Sequence, residues 1–305
     1  MTVLANLLLW LLPCVPLAWL RWIARVMGWV SVRLNTPSAV VTATNLGHCY
    51  PKLAAPELRR LTQASLSNTA MLGLEAGITW RSSVAECLAL VQREQGRGLL
   101  ADAVAAETGV LLLVPHLGNW EFMSPGLCEF DLTALYDPPK IQALDPIIRE
   151  SRERAGIQML PIDASGLRRV YQVLTRQDPA EPAGASGGMT SGLVVLLPDQ
   201  APGRNAGSVL APFFGQPAHT MTLVHRLVKR TKPTLLMGAA LRVPGGFEVV
   251  IEPLEQAPYL ESAEAAATAM NRSLEAMINR APEQYQWEYK RFKRTPLARQ
   301  LYPKD

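Results

Sequence analysis

Residues 109–114 read Gly-Val-Leu-Leu-Leu-Val, without one polar side chain, between Thr108 and Pro115. A run this short is no ordinary helix, and it is too uniformly apolar for a strand with one wet face. It predicts a strand buried on both sides, as in parallel sheets lying between layers of helices. Residues 193–197 form a second such run and end at Pro198. Residues 235–241 and 247–251 are further strand candidates, joined by the turn-forming stretch Val243-Pro-Gly-Gly246. Residues 56–88 carry Leu58, Leu61, Leu66, Met71, Leu72 and Leu74 at helical spacing, and residues 262–278 read as an Ala-rich helix. Strands alternating with helices predict an α/β fold with a mixed, largely parallel sheet flanked by helices. Residues 177–192, dense in Pro, Gly, Ala and Ser, read as a surface loop.

The amino-terminal stretch is of another kind. Residues 3–20 hold no charged side chain. As one helix they would extend about 27 Å, just short of a bilayer core of about 30 Å. Pro13 and Pro16 interrupt that helix, and Arg21, Arg25 and Arg33 follow it. By the positive-inside rule these arginines keep the following chain on the cytoplasmic side. Trp10, Trp19, Trp22 and Trp29 belong to the headgroup zone. With no basic n-region and no small-residue cleavage site, a cleaved signal peptide fits poorly. Residues 1–34 are therefore expected to be a hydrophobic membrane anchor, spanning marginally or lying in the interface. Residues 35–305 are expected to be one catalytic domain.

Composition narrows the function classes. Charged residues are 18% of the 305 and the net charge is +4. That is too small and too scattered for a nucleic-acid binder, which shows a dense basic face. Basic residues concentrate in 149–169 and 290–299, which suits anionic lipid headgroups or an acidic carrier protein. The four cysteines form no C-x-x-C pair and read as reduced thiols rather than a zinc or redox site.

The chemistry-bearing segment is Pro115-His-Leu-Gly-Asn-Trp-Glu121, which follows the first apolar run. On one helix, residues five apart diverge by about 140°. His116 and Glu121 can meet if the strand ends at His116 and a helix starts near Asn119, a favourable N-cap that puts Glu121 in the first turn. The carboxylate then fixes the imidazole and stabilises it when protonated, the arrangement of a general base. Ends of parallel strands are where open α/β sheets place their sites. No G-x-S-x-G elbow is present, so direct attack by a substrate hydroxyl is simpler than a covalent serine intermediate. His48, His219 and His225 show no ligand spacing, so no metal is expected.

These residues resemble the H-x-x-x-x-D/E motif of the bacterial lipid A biosynthesis (late) acyltransferases, the lauroyl/myristoyl transferase type. Pro198-Asp-Gln-Ala-Pro-Gly203, Ala211-Pro-Phe-Phe-Gly-Gln-Pro-Ala-His-Thr220, Pro282-Glu-Gln-Tyr-Gln-Trp287 and Arg291-Phe-Lys293 resemble that family's further signatures in the same order. The resemblance implies His116 as catalytic base with Glu121 as its partner carboxylate. It implies Arg152 or Arg154, in Arg152-Glu-Arg154-Ala-Gly156, as the contact to a phosphorylated lipid, with Arg149 a third candidate. Asp199 stands where the wider superfamily has an acidic residue near the acceptor, and Arg204 is placed to bind an anion. Asn119 joins the substrate-binding candidates through the backbone N–H groups at its helix start. Two positions depart from the family: Tyr136-Asp-Pro-Pro-Lys140 replaces a common Tyr-Arg-Pro segment, and Tyr289 stands where histidine is common.

The implied reaction moves an acyl chain from an acyl-carrier-protein thioester, a co-substrate rather than a cofactor, to a hydroxyl of a lipid A precursor. It runs at the cytoplasmic face of the bacterial inner membrane, with no cofactor and no nucleic-acid partner. Met123, Leu127 and Phe130 are candidates for the acyl groove. Competing readings keep the chemistry with another glycolipid or an ornithine-type lipid, retain lipid binding without catalysis, or make His116 and Glu121 metal ligands of a hydrolase.

Overall fold

A computed structural model describes residues 7, 9–106, 108–139, 141–176, 192–203 and 206–302. The strands are β1 (Val91–Gln95), β2 (Val110–Leu113), β3 (Leu132–Tyr136), β4 (Gln158–Pro161), β5 (Leu193–Leu196), β6 (Ser208–Phe213), β7 (Gln216–Met221), β8 (Thr234–Val243) and β9 (Gly246–Pro253). All but β6 and β7 form one seven-stranded sheet in the order β1-β9-β8-β2-β5-β3-β4. From β8 through β2, β5 and β3 to β4 the strands are parallel; β9 folds back antiparallel on β8, and β1 runs with β9. The sheet is thus mixed and largely parallel, as the apolar runs predict.

The longer helices are α1 (Leu17–Arg33), α2 (Pro37–Cys49), α3 (Ala55–Arg81), α4 (Arg97–Ala105), α5 (Asp145–Arg154), α6 (Ala164–Leu174), α7 (Leu223–Thr231) and α8 (Ala263–Ile278). The period-two alternation of the central strands gives each face its own core. Leu111, Leu113, Val194 and Leu196 pack with Val170 and Leu174 of α6, Leu227 of α7 and Met270 and Leu274 of α8. Val110, Leu112 and Leu193 pack on the other face with Leu100 of α4, Phe122 and Leu127. Each buried leucine contributes roughly 1.5–3 kcal/mol, so β2, buried along its whole length, is a rigid platform for the turn at its carboxyl end.

Several boundaries differ from expectation for local reasons. The helix expected over 56–88 stops at Arg81, and a short one begins at Val84. Ser83 starts the new helix: its Oγ accepts from Glu86 N at 3.2 Å, and its own N donates to Glu86 Oε2 at 2.7 Å. That capping box outweighs continuation of the apolar stripe. Residues 211–220 form most of the β6–β7 hairpin, turned at Phe214 (φ 49°) and Gly215 (φ 74°). Of the expected loop 177–192, residues 177–191 lie outside those described.

The amino terminus is not one apolar helix. Leu12–Cys14 is a single 3-10 turn, and α1 begins only after Pro16. No helix among the described residues is long and apolar enough to cross a membrane. α1 packs one side on α3. Leu20 and Ala24 are buried, and Gly28 lies so close that a Cβ there would come within 2.2 Å of Ser67 Oγ. Its other sides expose Trp19, Trp22, Ile23, Met27 and Trp29.

Candidate active site

His116 lies three residues past Leu113 of β2, and Asp199 lies three past Leu196 of β5. Leu113 and Leu196 are direct partners in the parallel register. The sheet therefore delivers the two residues side by side at its carboxyl edge. Asp199 Oδ2 accepts from the His116 backbone N at 3.0 Å, and Oδ1 lies 2.8 Å from His116 Nδ1. An ionised carboxylate can only accept, so Nδ1 carries the ring proton and Nε2 is left as the base. The Gln200 amide nitrogen lies 3.2 Å from that Nε2.

The electrostatics favour a poised base. Burial acts first and pushes the His116 imidazole down, but Asp199, through charge and hydrogen bond, and then Glu121 and Glu288 outweigh it, leaving the ring above its ordinary value. Asp199 is 1% exposed. Burial alone would push its carboxyl up; the His116 ring and backbone N–H more than reverse this and hold it below the usual carboxylate range. Tyr285, buried beside Asp199, is kept a neutral phenol by burial and by that carboxylate. Glu288 accepts from Thr69 Oγ1 at 3.0 Å, and burial pushes its carboxyl up.

Glu121 does not take the place expected for it. Its Oε1 accepts from Arg152 Nη2 at 2.9 Å and its Oε2 from Trp80 Nε1 at 3.3 Å, so it ties the histidine turn to α5 and α3. The neighbouring strand brings Asp199 to Nδ1 instead. Glu121 acts on the imidazole through space, as a nearby negative charge. Asn119 does cap the short helical turn Trp120–Phe122, its Oδ1 accepting from Phe122 N at 3.2 Å. It is fully buried, however, and its Nδ2 donates to Glu75 Oε2 at 3.1 Å. The backbone N–H groups of Leu117, Gly118, Asn119 and Phe122 are spent on carbonyls of the protein, so none of these four is free for a ligand.

The three candidate arginines separate. Arg152 is at the site, on Glu121 and 5.1 Å over the Tyr136 ring. Arg149 stands beside it, 4.7 Å over the same ring and paired with Asp145 at 2.9 Å, with 43% of its side chain exposed. Arg154 is turned away: its guanidinium donates to the Trp80, Arg81 and Ser82 carbonyls at the carboxyl end of α3. There it satisfies the helix end and complements its dipole. Arg204 lies outside the described residues. Met123, Leu127 and Phe130 are all buried in the core on the α4 side of the sheet.

The remaining signatures brace this turn. Gly118 N donates to Gln284 O at 3.0 Å and Gln286 N to His116 O at 3.1 Å, so the segment 282–287 pairs with the histidine turn. Gly118 (φ 64°) permits the approach, since a Cβ there would sit 2.1 Å from Ala240 O. Arg291 donates to His219 O at 2.6 Å and to Thr220 Oγ1 at 3.0 Å, holding the β6–β7 hairpin. Tyr289, at the position where histidine is common in the family it resembles, accepts from Ala201 N at 2.9 Å and steadies the loop after Asp199. Among the described residues no group of three His, Cys, Asp or Glu side chains could hold a metal ion.

Sequence reasoning missed the His116–Asp199 pairing, Gln200, Glu288 and the buried Glu75. A signal for the first was present. Val110-Leu-Leu-Leu-Val-Pro-His116 and Leu193-Val-Val-Leu-Leu-Pro-Asp199 match position for position, each an apolar run, a proline and then the titratable residue.

An imidazole at a strand end, backed by a buried carboxylate and with only the Gln200 amide on Nε2 among the described residues, has the chemistry suited to proton transfer on an α/β scaffold. The chain belongs to the bacterial lipid A biosynthesis acyltransferase family, whose model matches residues 1–294. It is an acyltransferase. It is 26% identical to the lipid A biosynthesis lauroyltransferase of Escherichia coli over 301 residues, covering 94% of this chain and 90% of that one. It is likewise 26% identical to the palmitoleoyltransferase of the same organism over 310 residues, covering 93% and 94%. A Haemophilus influenzae lipid A biosynthesis acyltransferase matches at 23% over 253 residues, covering 80% and 72%.

Proposed function

We propose that this acyltransferase moves a fatty acyl chain from an acyl-carrier-protein thioester onto a hydroxyl of a lipid A precursor, with His116 as general base. The observation that carries the reading is the His116–Asp199 pair, which leaves Nε2 as the basic nitrogen at the sheet edge. The acceptor hydroxyl displaces the Gln200 amide from Nε2 and gives up its proton there. The resulting alkoxide oxygen bonds to the thioester carbon, the carbon–sulfur bond breaks, and the thiolate takes the proton back from the imidazolium. An ester and a free thiol result, with no covalent enzyme intermediate. Asp199 holds the tautomer and offsets the charge of the imidazolium; Glu121 adds to that field and fixes Arg152. Arg152 and Arg149 form the cationic side of the site, suited to an anionic group of the acceptor. The exposed tryptophans of α1 support a position at the inner-membrane surface, with α1 lying in the interface.

The test is mass spectrometry of the lipid product after incubation with a tetra-acylated lipid A precursor and a panel of acyl-carrier thioesters. A gain of one acyl group is expected. No gain with any donor, under conditions where the Escherichia coli lauroyltransferase is active, would overturn the reading.

A further inference from the structure

A cavity of about 620 Å³ opens between α1, α3 and the β8–β9 turn, and none of the residues assigned to the reaction lines it. Its walls present Arg21 and Arg25 from α1, Arg60 and Asn68 from α3, Arg242 from β8, and Gln284. Against these four guanidinium groups stands one buried carboxylate, Glu75, whose two oxygens are taken by Arg21 Nε at 3.0 Å and Arg242 Nε at 2.8 Å. Arg25 and Arg60 are exposed at the rim and have no acidic partner among the described residues. Arg242 is only 8% exposed; its Nη1 reaches Asn68 Oδ1 at 3.4 Å, while its buried Nη2 has no hydrogen-bond partner among the described residues.

A buried guanidinium nitrogen left unsatisfied is costly, and fixed positive charge in a pocket calls for an anion with several acceptor oxygens. The cavity's position says how that anion arrives. Arg21 and Arg25 lie one turn apart on α1: Arg21 is buried, its guanidinium donating to Glu75 and to the Val243 and Gly246 carbonyls, while Arg25 is exposed beside Trp22, Val26 and Trp29, which are exposed as well. An apolar aromatic face beside a basic one is the form of a helix lying in a membrane surface. We propose that this cavity binds the phosphate of a net-anionic lipid headgroup, one without a compensating ammonium group, at the membrane on which α1 rests. The site orients the enzyme on that surface and is independent of the acyl-transfer reading.

The test is flotation of the full chain with phosphatidylcholine vesicles made with and without phosphatidylglycerol. Arg25→Gln/Arg60→Gln removes two rim charges and leaves the Glu75 network intact. A matched control, Arg226→Gln/Lys229→Gln, removes two exposed charges from α7. The preference for anionic vesicles is expected to fall about fivefold per rim charge, roughly 25-fold for the pair, and less than about twofold for the control. Equal losses in both pairs would reduce the effect to net charge and overturn the site. Inorganic phosphate provides the second arm, read as thermal stabilisation at constant ionic strength. Stabilisation of the wild type that the rim variant loses, with unchanged vesicle preference, would make free phosphate the ligand and overturn the lipid assignment.

Discussion

Replacing Asp199 by Asn preserves shape and removes one charge, and its effect can be worked from the contacts. In the wild type the two carboxylate oxygens serve the His116 backbone N–H and Nδ1, at 3.0 and 2.8 Å. Asparagine has one oxygen. If it keeps the backbone N–H, its amide donor faces Nδ1, the ring proton moves to Nε2, and the base is lost. With the base lost, the contribution of general-base catalysis, roughly 10²–10⁴-fold, goes with it. The expected loss in kcat is therefore about two to four decades, measured by transfer of labelled acyl chains under single-turnover conditions. The pH profile supplies a second readout. The base works neutral, and its wild-type value is raised, so the acidic limb of kcat/KM lies above the ordinary imidazole value of about 6.5; in Asp199→Asn it shifts to lower pH. Stability obeys the same linkage. The raised imidazole gives the wild type an advantage fully present below about pH 6.5, which fades as pH rises through the folded value. At the acid end the advantage is lost only as pH falls through the depressed value of Asp199. Activity within about threefold of wild type, with an unmoved acidic limb, would refute this reasoning.

Glu75→Gln strips the carboxylate from Arg21 and Arg242 and weakens the Asn119 cap. It is expected to cost about 3–5 kcal/mol of stability in denaturant unfolding. Gly118→Ala forces a Cβ against Ala240 O and disfavours the φ of 64°. Activity should fall more than tenfold while a substitution at exposed Gly98, which has open space, changes little. Arg152→Ala should lower kcat/KM by more than tenfold by releasing Glu121, whereas Arg154→Ala should lower thermal stability by about 1 kcal/mol with activity retained, as helix-end contacts do.

The parts of this fold that rest on repetition were legible. Apolar runs without polar interruption named β2 and β5, and the turn between residues 243 and 246 named the β8–β9 pair. Asn119 as a cap was readable because capping is local chemistry. The partner of His116 was not read, because spacing along the chain pointed to Glu121, five residues on, while the contact is set by register between strands 83 positions apart. Parallel pairing is non-local, and only alignment of the two proline-terminated runs hints at it. Glu75 was invisible for the same reason: it looks like an ordinary helix carboxylate until three chain segments converge on it. At the amino terminus Pro13 and Pro16 divide the apolar stretch, as the sequence indicates, and the exposed apolar surface belongs to α1, which begins only after Pro16.

The central claim is that His116 removes the acceptor proton. Its most direct test is the single-turnover rate of acyl transfer by wild type and His116→Ala, each checked for native near-ultraviolet circular dichroism. General base catalysis contributes roughly 10²–10⁴-fold, so the variant is predicted to be folded and slower by at least a hundredfold. A folded variant that transfers at the wild-type rate would contradict the account.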